Sequence, residues 1–301
     1  MFTLKNAPED QIIQTLKRQI GLVDILGRGE RLSASQLALL TEPEWICPEK
    51  YTFQKVEKKD FTLEILAPQK ENRKYAVLQL HGGGYIGALS NDYRDWAYFY
   101  SKFCHQATVF SPDYRRAPKN PFPAALEDAL ASYAFIVAGG YEKIFVVGDS
   151  SGGGLALSLT RSLLDAGFKA PAGIIVMSPF TDLTLSGPSL DTNYEKDVIF
   201  GKTKNSILYN KAYLGKTDPK NPYISPVFAE YAGFPPLLMQ VGSDEMLLDD
   251  TTRVAEKAEK AGVSVILTVY EGMFHNFEKG NFSMDASRKA WAEIYAFFNQ
   301  F

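Results

Sequence analysis

The hydrophobic pattern of the chain changes period along its length. Over residues 11–40, Ile12, Leu16, Ile20, Val23 and Leu26 recur at helical spacing, which predicts one or two amphipathic helices. The stretch from Pro43 to Pro48 breaks that pattern. From residue 51 the period drops to two: Tyr51–Val56 and Phe61–Leu66 alternate as strands with one covered face do. Continuous apolar runs follow at Tyr75–Leu80, Ala107–Phe110, Ile144–Val147, Gly173–Met177, Leu237–Val241 and Val263–Val269, predicting strands buried on both faces. Helix-like segments separate most of them, at Asp92–Phe103, Ala124–Ala138, Gly153–Ala166 and Thr251–Ala261, and Ala286–Phe298 closes the chain. Strand and helix in alternation predict an α/β fold, a mostly parallel eight-stranded sheet flanked by helices.

One stretch departs from this rhythm. Between Asp182 and Pro222 no strand is predicted, while Tyr194, Phe200, Tyr209 and Tyr213 sit among polar residues. Forty residues without structure are unusual in a compact domain, so an insertion folding over the strand ends as a helical cap is expected. The division is then a catalytic core of residues 51–182 and 223–301, with 1–50 and 183–222 forming the cap or lid. No internal repeat or low-complexity segment is present.

Composition narrows the class. Hydrophobic residues make up 46% and charged residues 22%, with a net charge of −3, so nothing suggests nucleic acid or an anionic membrane as partner. No apolar run approaches the roughly 20 residues of a membrane helix, and the N-terminus lacks the layout of a secretory leader. A cytoplasmic protein is expected, and a homodimer is compatible with this composition. Two cysteines and three scattered histidines offer no ligand spacing, so neither a metal nor a cofactor is expected.

The chemistry lies in three short runs: Gly148-Asp-Ser-Ser-Gly152, His81-Gly-Gly-Gly84 and Phe274-His275. The first is a G-x-S-x-G pentapeptide between the apolar run Lys143–Val147 and the small-residue helix pattern Gly153–Leu159. Strand, sharp turn and helix in that order lift Ser150 to the apex of a strained elbow, with glycines where side chains would collide. A serine hydroxyl needs a base, and the base needs an acid to orient it. His275, in the loop after the last strand, is the expected base. His81 begins the glycine run, where its ring supports that loop along with Gly82, and His105 has a sufficient role at a helix end. Asp244, at the exit of Leu237–Val241, is the expected acid. Glu245 is adjacent but expected to point differently, Asp182 is weaker, and Asp249 and Asp250 suit the first turn of the next helix. Backbone N–H groups of the glycine run and of Ser151 can receive a negative oxygen formed on a substrate carbonyl. A phosphate loop is excluded by the absence of a Gly-Lys-Ser/Thr ending and of G-x-G-x-x-G.

From about residue 75 onward the chain resembles the hormone-sensitive-lipase family of α/β-hydrolase carboxylesterases. The resemblance rests on His81-Gly-Gly-Gly-Tyr85, Asp113-Tyr-Arg-Arg-Ala-Pro118, Gly148-Asp-Ser-Ser-Gly-Gly153, Ser178-Pro-Phe-Thr-Asp-Leu183 and Ile224-Ser-Pro226. The order Ser150, Asp244, His275 is also that of the α/β-hydrolase fold. The resemblance implies Gly83, Gly84 and Ser151 as oxyanion donors. Two departures stand out: the family usually carries alanine at Ser151, and Asp244-Glu-Met-Leu-Leu-Asp-Asp250 replaces a commoner Asp-Pro-Leu wording. The expected function is a serine carboxylesterase acting on short- to medium-chain esters, acetyl included, through an acyl-enzyme, with Tyr85, Tyr194, Phe200 and Tyr209 lining the pocket. A lactonase or a sugar or drug deacetylase would use the same residues; a non-catalytic ligand receptor of this fold would tend to lack the base.

Overall fold

The computed structural model describes residues 7–70, 72–203 and 206–301. Its eight strands form one sheet: β1 (Tyr51–Glu57), β2 (Thr62–Pro68), β3 (Tyr75–Leu80), β4 (Thr108–Asp113), β5 (Lys143–Asp149), β6 (Gly173–Met177), β7 (Leu237–Gly242) and β8 (Val265–Tyr270). Their order is β1-β2-β4-β3-β5-β6-β7-β8. The pairs β1–β2 and β2–β4 are antiparallel and all others parallel. The two runs that alternate in the sequence are thus the antiparallel margin, and the continuous runs supply the parallel part.

The helices are α1 (Glu9–Gly27), α2 (Ala34–Leu40), α3 (Asn91–Phe103), α4 (Ala124–Ala138), α5 (Ser150–Asp165), α6 (Ser189–Thr192), α7 (Leu248–Lys260) and α8 (Asp285–Phe298). Successive side chains of a strand point to opposite faces, so each buried strand feeds two cores. Leu78, Val146 and Val176 join the core under α4, α5 and α7, where α1 also packs through Ile12 and Leu16. Val77, Val147 and Ile175 join the core under α3 and α8, built around Trp96 and Trp291, whose rings meet edge-on at 5.3 Å. Each such large apolar side chain contributes about 1.5–3 kcal/mol by leaving water.

The last strand departs from its expectation. Val263–Val269 reads as a run buried on both faces, but β8 lies at the sheet edge with one neighbour, leaving Ile266 and Val269 about 40% exposed. Apolar content alone does not distinguish an edge strand from a central one. Between residues 183 and 222, α6 is the single α-helix among the described residues, accompanied by a 3-10 turn at Ile207–Tyr209. α1 packs directly against that turn, so α1 and α2 supply most of the helix over the strand ends.

Candidate active site

Parallel strands end at a common edge, and in open α/β sheets that edge carries the site. The exits of β3, β5, β6, β7 and β8 bring the glycine run, Ser150, Ser178, Glu245 and His275 together there.

Ser150 starts α5 with φ +51°, in the left-handed region that L-residues avoid. This backbone turns its hydroxyl out of the strand–helix corner. The corner closes only because Gly152 follows: a Cβ there would strike the backbone carbonyls of Leu80 and His81. His275 Nε2 lies 3.0 Å from Ser150 Oγ, and its Nδ1 lies 2.8 Å from Glu245 Oε2. A carboxylate only accepts, so Nδ1 carries the proton and Nε2 is left to accept from the serine hydroxyl.

The carboxylate facing the base is therefore Glu245, not Asp244. Glu245 is fully buried, and its Oε1 accepts from Ser178 Oγ and from the Gly242 N–H, both at 2.6 Å. Asp244 is only half-buried and accepts from Ser243 Oγ at 3.2 Å. The cause is the turn leaving β7: the Glu245 N–H donates back to the Gly242 carbonyl, so the chain reverses over Ser243 and Asp244 and the third residue after the strand points inward. A signal existed in the sequence. Moved by one position, Glu245-Met-Leu247 stands in register with Asp-Pro-Leu, and Met246 and Leu247 are fully buried as that register requires.

The glycine run is held from three sides. The His81 ring is buried, stacked on Tyr114 at 4.0 Å, with Nδ1 donating to the Gly82 carbonyl at 2.8 Å. Burial pushes its pKa down to about 4, so it is a neutral prop. The Gly82 N–H donates to Tyr93 Oη (2.8 Å) and Asp149 Oδ1 (3.0 Å). Asp149 Oδ2 accepts from Tyr93 Oη and from Asn276 Nδ2, each at 2.9 Å. Burial raises the Asp149 pKa. Sequence reasoning missed this carboxylate: it lies inside the pentapeptide, and only the fold shows it joining the glycine run to the loop of His275.

Gly83 and Gly84 have φ of +105° and +62°, and among the described residues neither N–H donates to a protein acceptor. The Ser151 N–H lies in the first turn of α5, where helical N–H groups lack an intrahelical partner. The additional hydroxyl of Ser151 accepts from the Tyr85 N–H at 3.2 Å, tying the elbow to the glycine run.

A cavity of about 290 Å³ opens on Ser150 and His275. Of the four expected lining aromatics, only Phe200 lines it, with its ring 4.6 Å from that of His275. Tyr85 is turned into the core by its left-handed backbone and stacks on Tyr213 at 3.6 Å. Tyr194 and Tyr209 are half-buried and pack on the same core, away from the cavity. Leu16, Ile20, Val23 and Leu26 of α1 and Leu39 of α2 take their place. The helical spacing of the α1 residues was visible in the sequence, but not which cavity it would face. The His105 ring lies 4.5 Å from that of Tyr75, tilted by 32°, outside the site.

Residues 77–279 match a family described by the alpha/beta hydrolase fold. The chain is 36% identical to an acetyl-hydrolase of Streptomyces hygroscopicus over 216 residues, 71% of each chain. It is 34% identical to an esterase of Acinetobacter venetianus over 224 residues, 73% of each. A solved hormone-sensitive lipase from a metagenome library superimposes with a TM-score of 0.81 at 31% identity, covering 98% of this chain and 99% of that one. Relatives so named support an esterase function.

Proposed function

The chain belongs to the α/β-hydrolase family, on its hormone-sensitive-lipase side, and on that footing we propose that it is a serine carboxylesterase of short- to medium-chain esters, acetyl included. The observation that carries the reading is the unbroken relay from Ser150 Oγ to His275 (3.0 Å) to Glu245 (2.8 Å). Ser150 Oγ attacks the ester carbonyl while His275 Nε2 takes its proton. The negative oxygen is received by the N–H groups of Gly83, Gly84 and Ser151, each such donor being worth about 3–4 kcal/mol of barrier. Glu245 holds the imidazole in the required tautomer and stabilises the imidazolium. The proton then passes to the leaving alkoxide, and an acyl group remains on Ser150. Water, deprotonated by His275, attacks that acyl group, and the collapsing intermediate returns the proton to Ser150.

The small, mostly apolar cavity supports short acyl groups. Residues 1–50 and 183–222 act as the cover over a core of 51–182 and 223–301, a division supported by the contact of α1 with the 207–209 turn; residues 1–6, 71 and 204–205 of it lie outside the described residues. Among the described residues no helix is long and apolar enough to cross a membrane.

The test is hydrolysis of p-nitrophenyl esters from acetate to palmitate, beside Ser150→Ala. Turnover peaking at short chains, reduced about a millionfold in the variant, is expected. Turnover of lactones but not of open esters would move the substrate class, and activity persisting in the variant would end the mechanism.

A further inference from the structure

The wall of the cavity is apolar on the side of α1 and α2, but on another side it carries Lys279, only 9% exposed. This residue follows His275 by four positions, in the 3-10 turn Phe277–Gly280. Its ammonium lies 4.9 Å from the centre of the Tyr93 ring and 5.9 Å from that of Trp96. It forms no ion pair with any described residue. The other charges on this wall are engaged. Glu42 accepts from the Asn91 N–H at 2.8 and 3.0 Å and faces Arg94 at 3.7 Å, while Arg116 faces Asp113 at 3.7 Å.

A sheltered ammonium is normally paired, because removing its water is costly. Two aromatic faces offset part of that cost through their quadrupoles, but a ring accepts no strong hydrogen bond, and Lys279 has three donors. We infer that the cavity takes esters bearing a second, anionic group, a carboxylate, which Lys279 binds while Ser150 attacks the ester carbonyl. The buried, unpartnered Asn276 Oδ1 on the same wall is an acceptor and offers a carboxylate no bond, so the anion's partner there is Lys279 alone. One ammonium on a wall that also holds Glu42 suits a single negative charge better than a phosphate dianion. The inference rests on the esterase reading and narrows its substrate class to half-esters of dicarboxylic acids or acyl esters of hydroxy acids.

The competing role for Lys279 is structural. Burial raises the Asp149 pKa, and the Lys279 charge is the foremost influence opposing it. The ammonium would then serve the scaffold and no substrate.

The experiment compares matched pairs on the full chain: monoethyl succinate against the neutral ethyl levulinate, and acetoxyacetate against acetoxyacetone. A preference of about 10- to 100-fold in kcat/KM for the anionic member of either pair is expected, and the pair that shows it tells whether the charge lies on the acyl or the alcohol side. In Lys279→Met that ratio should collapse towards one, and Lys279→Arg should restore part of it. Calorimetry with Ser150→Ala adds a readout free of turnover: the preferred anionic ester, monoethyl succinate or acetoxyacetate, should bind, and should not bind the double variant carrying Lys279→Met. Equal rates for charged and neutral members, or a Lys279→Met variant that lowers both alike with an unchanged ratio, overturns the inference while p-nitrophenyl acetate turnover leaves the esterase reading standing. Absence of turnover on every ester would instead sink that reading.

Discussion

The loops carrying Ser150, Glu245 and His275 and the wall supplied by α1 and α2 meet at one cavity, yet different physics holds them. The carboxylates of the loops are held by directed bonds: Glu245 has three donors and Asp149 three, and Ser150 is locked in left-handed backbone. The apolar side chains that the wall turns to the cavity have none of this. Leu16, Ile20 and Leu26 present only apolar surface, and α2 has no buried residue. Directed bonds allow one geometry and fail abruptly, whereas apolar packing is non-directional and degrades gradually. The proposed chemistry thus falls on the rigid half, and the fit to an acyl chain on the adaptable half.

The largest effect should follow a change in the rigid half. Glu245→Gln offers an N–H where His275 needs an acceptor, forcing the wrong tautomer, and kcat should fall about 10⁴-fold with KM little changed. Steady-state kinetics on p-nitrophenyl acetate checks it.

Next in size is a pH effect on stability. His81 is held neutral, its pKa depressed from 6.5 to about 4 by burial. Below 6.5 the unfolded chain takes up a proton that the folded chain refuses, so stability falls as pH drops and levels off below about 4. The loss from this one group is about 3 kcal/mol. Urea titrations at pH 7 and pH 4 should show His81→Leu losing less than the parent over that interval; equal losses would show that His81 does not titrate in this way.

The adaptable half should respond mildly. Ile20→Ala removes apolar contact with the acyl chain and should lower kcat/KM for hexanoate by about 1–3 kcal/mol while acetate is less affected. A uniform drop across chain lengths would mean that α1 shapes the loops rather than the acyl site. Smallest of all, Asp244→Asn should change kcat by no more than about 0.5 kcal/mol, as for a side chain outside any special network. A loss as large as that of Glu245→Gln would reinstate Asp244.

What could be read in advance follows the same division. All eight strands are present near their expected positions because buried parallel strands need unbroken apolar runs and the antiparallel margin alternates, while the other edge strand, β8, reads as a buried one. The meeting of Ser150 and His275 was legible because elbow glycines and chain order are local or topological signals. The acid was not, since choosing between Asp244 and Glu245 requires the direction of one turn after β7. Tyr85, Tyr194 and Tyr209 misled for a related reason: a ring can face a cavity or a core, and these three pack on the core while Phe200 faces the cavity.

The sequence by itself determined the sheet, the elbow at Ser150, the loop of His275 and the glycine run, because each is written in residues close together along the chain or in the order of strands. Only the tertiary structure decided that Glu245 meets His275, that Asp149 joins three loops, that α1 and α2 wall the cavity and that Lys279 stands in it unpaired. Those facts depend on how segments far apart in the chain are oriented on packing, and side-chain direction across such distances is set by the whole core rather than by any local run.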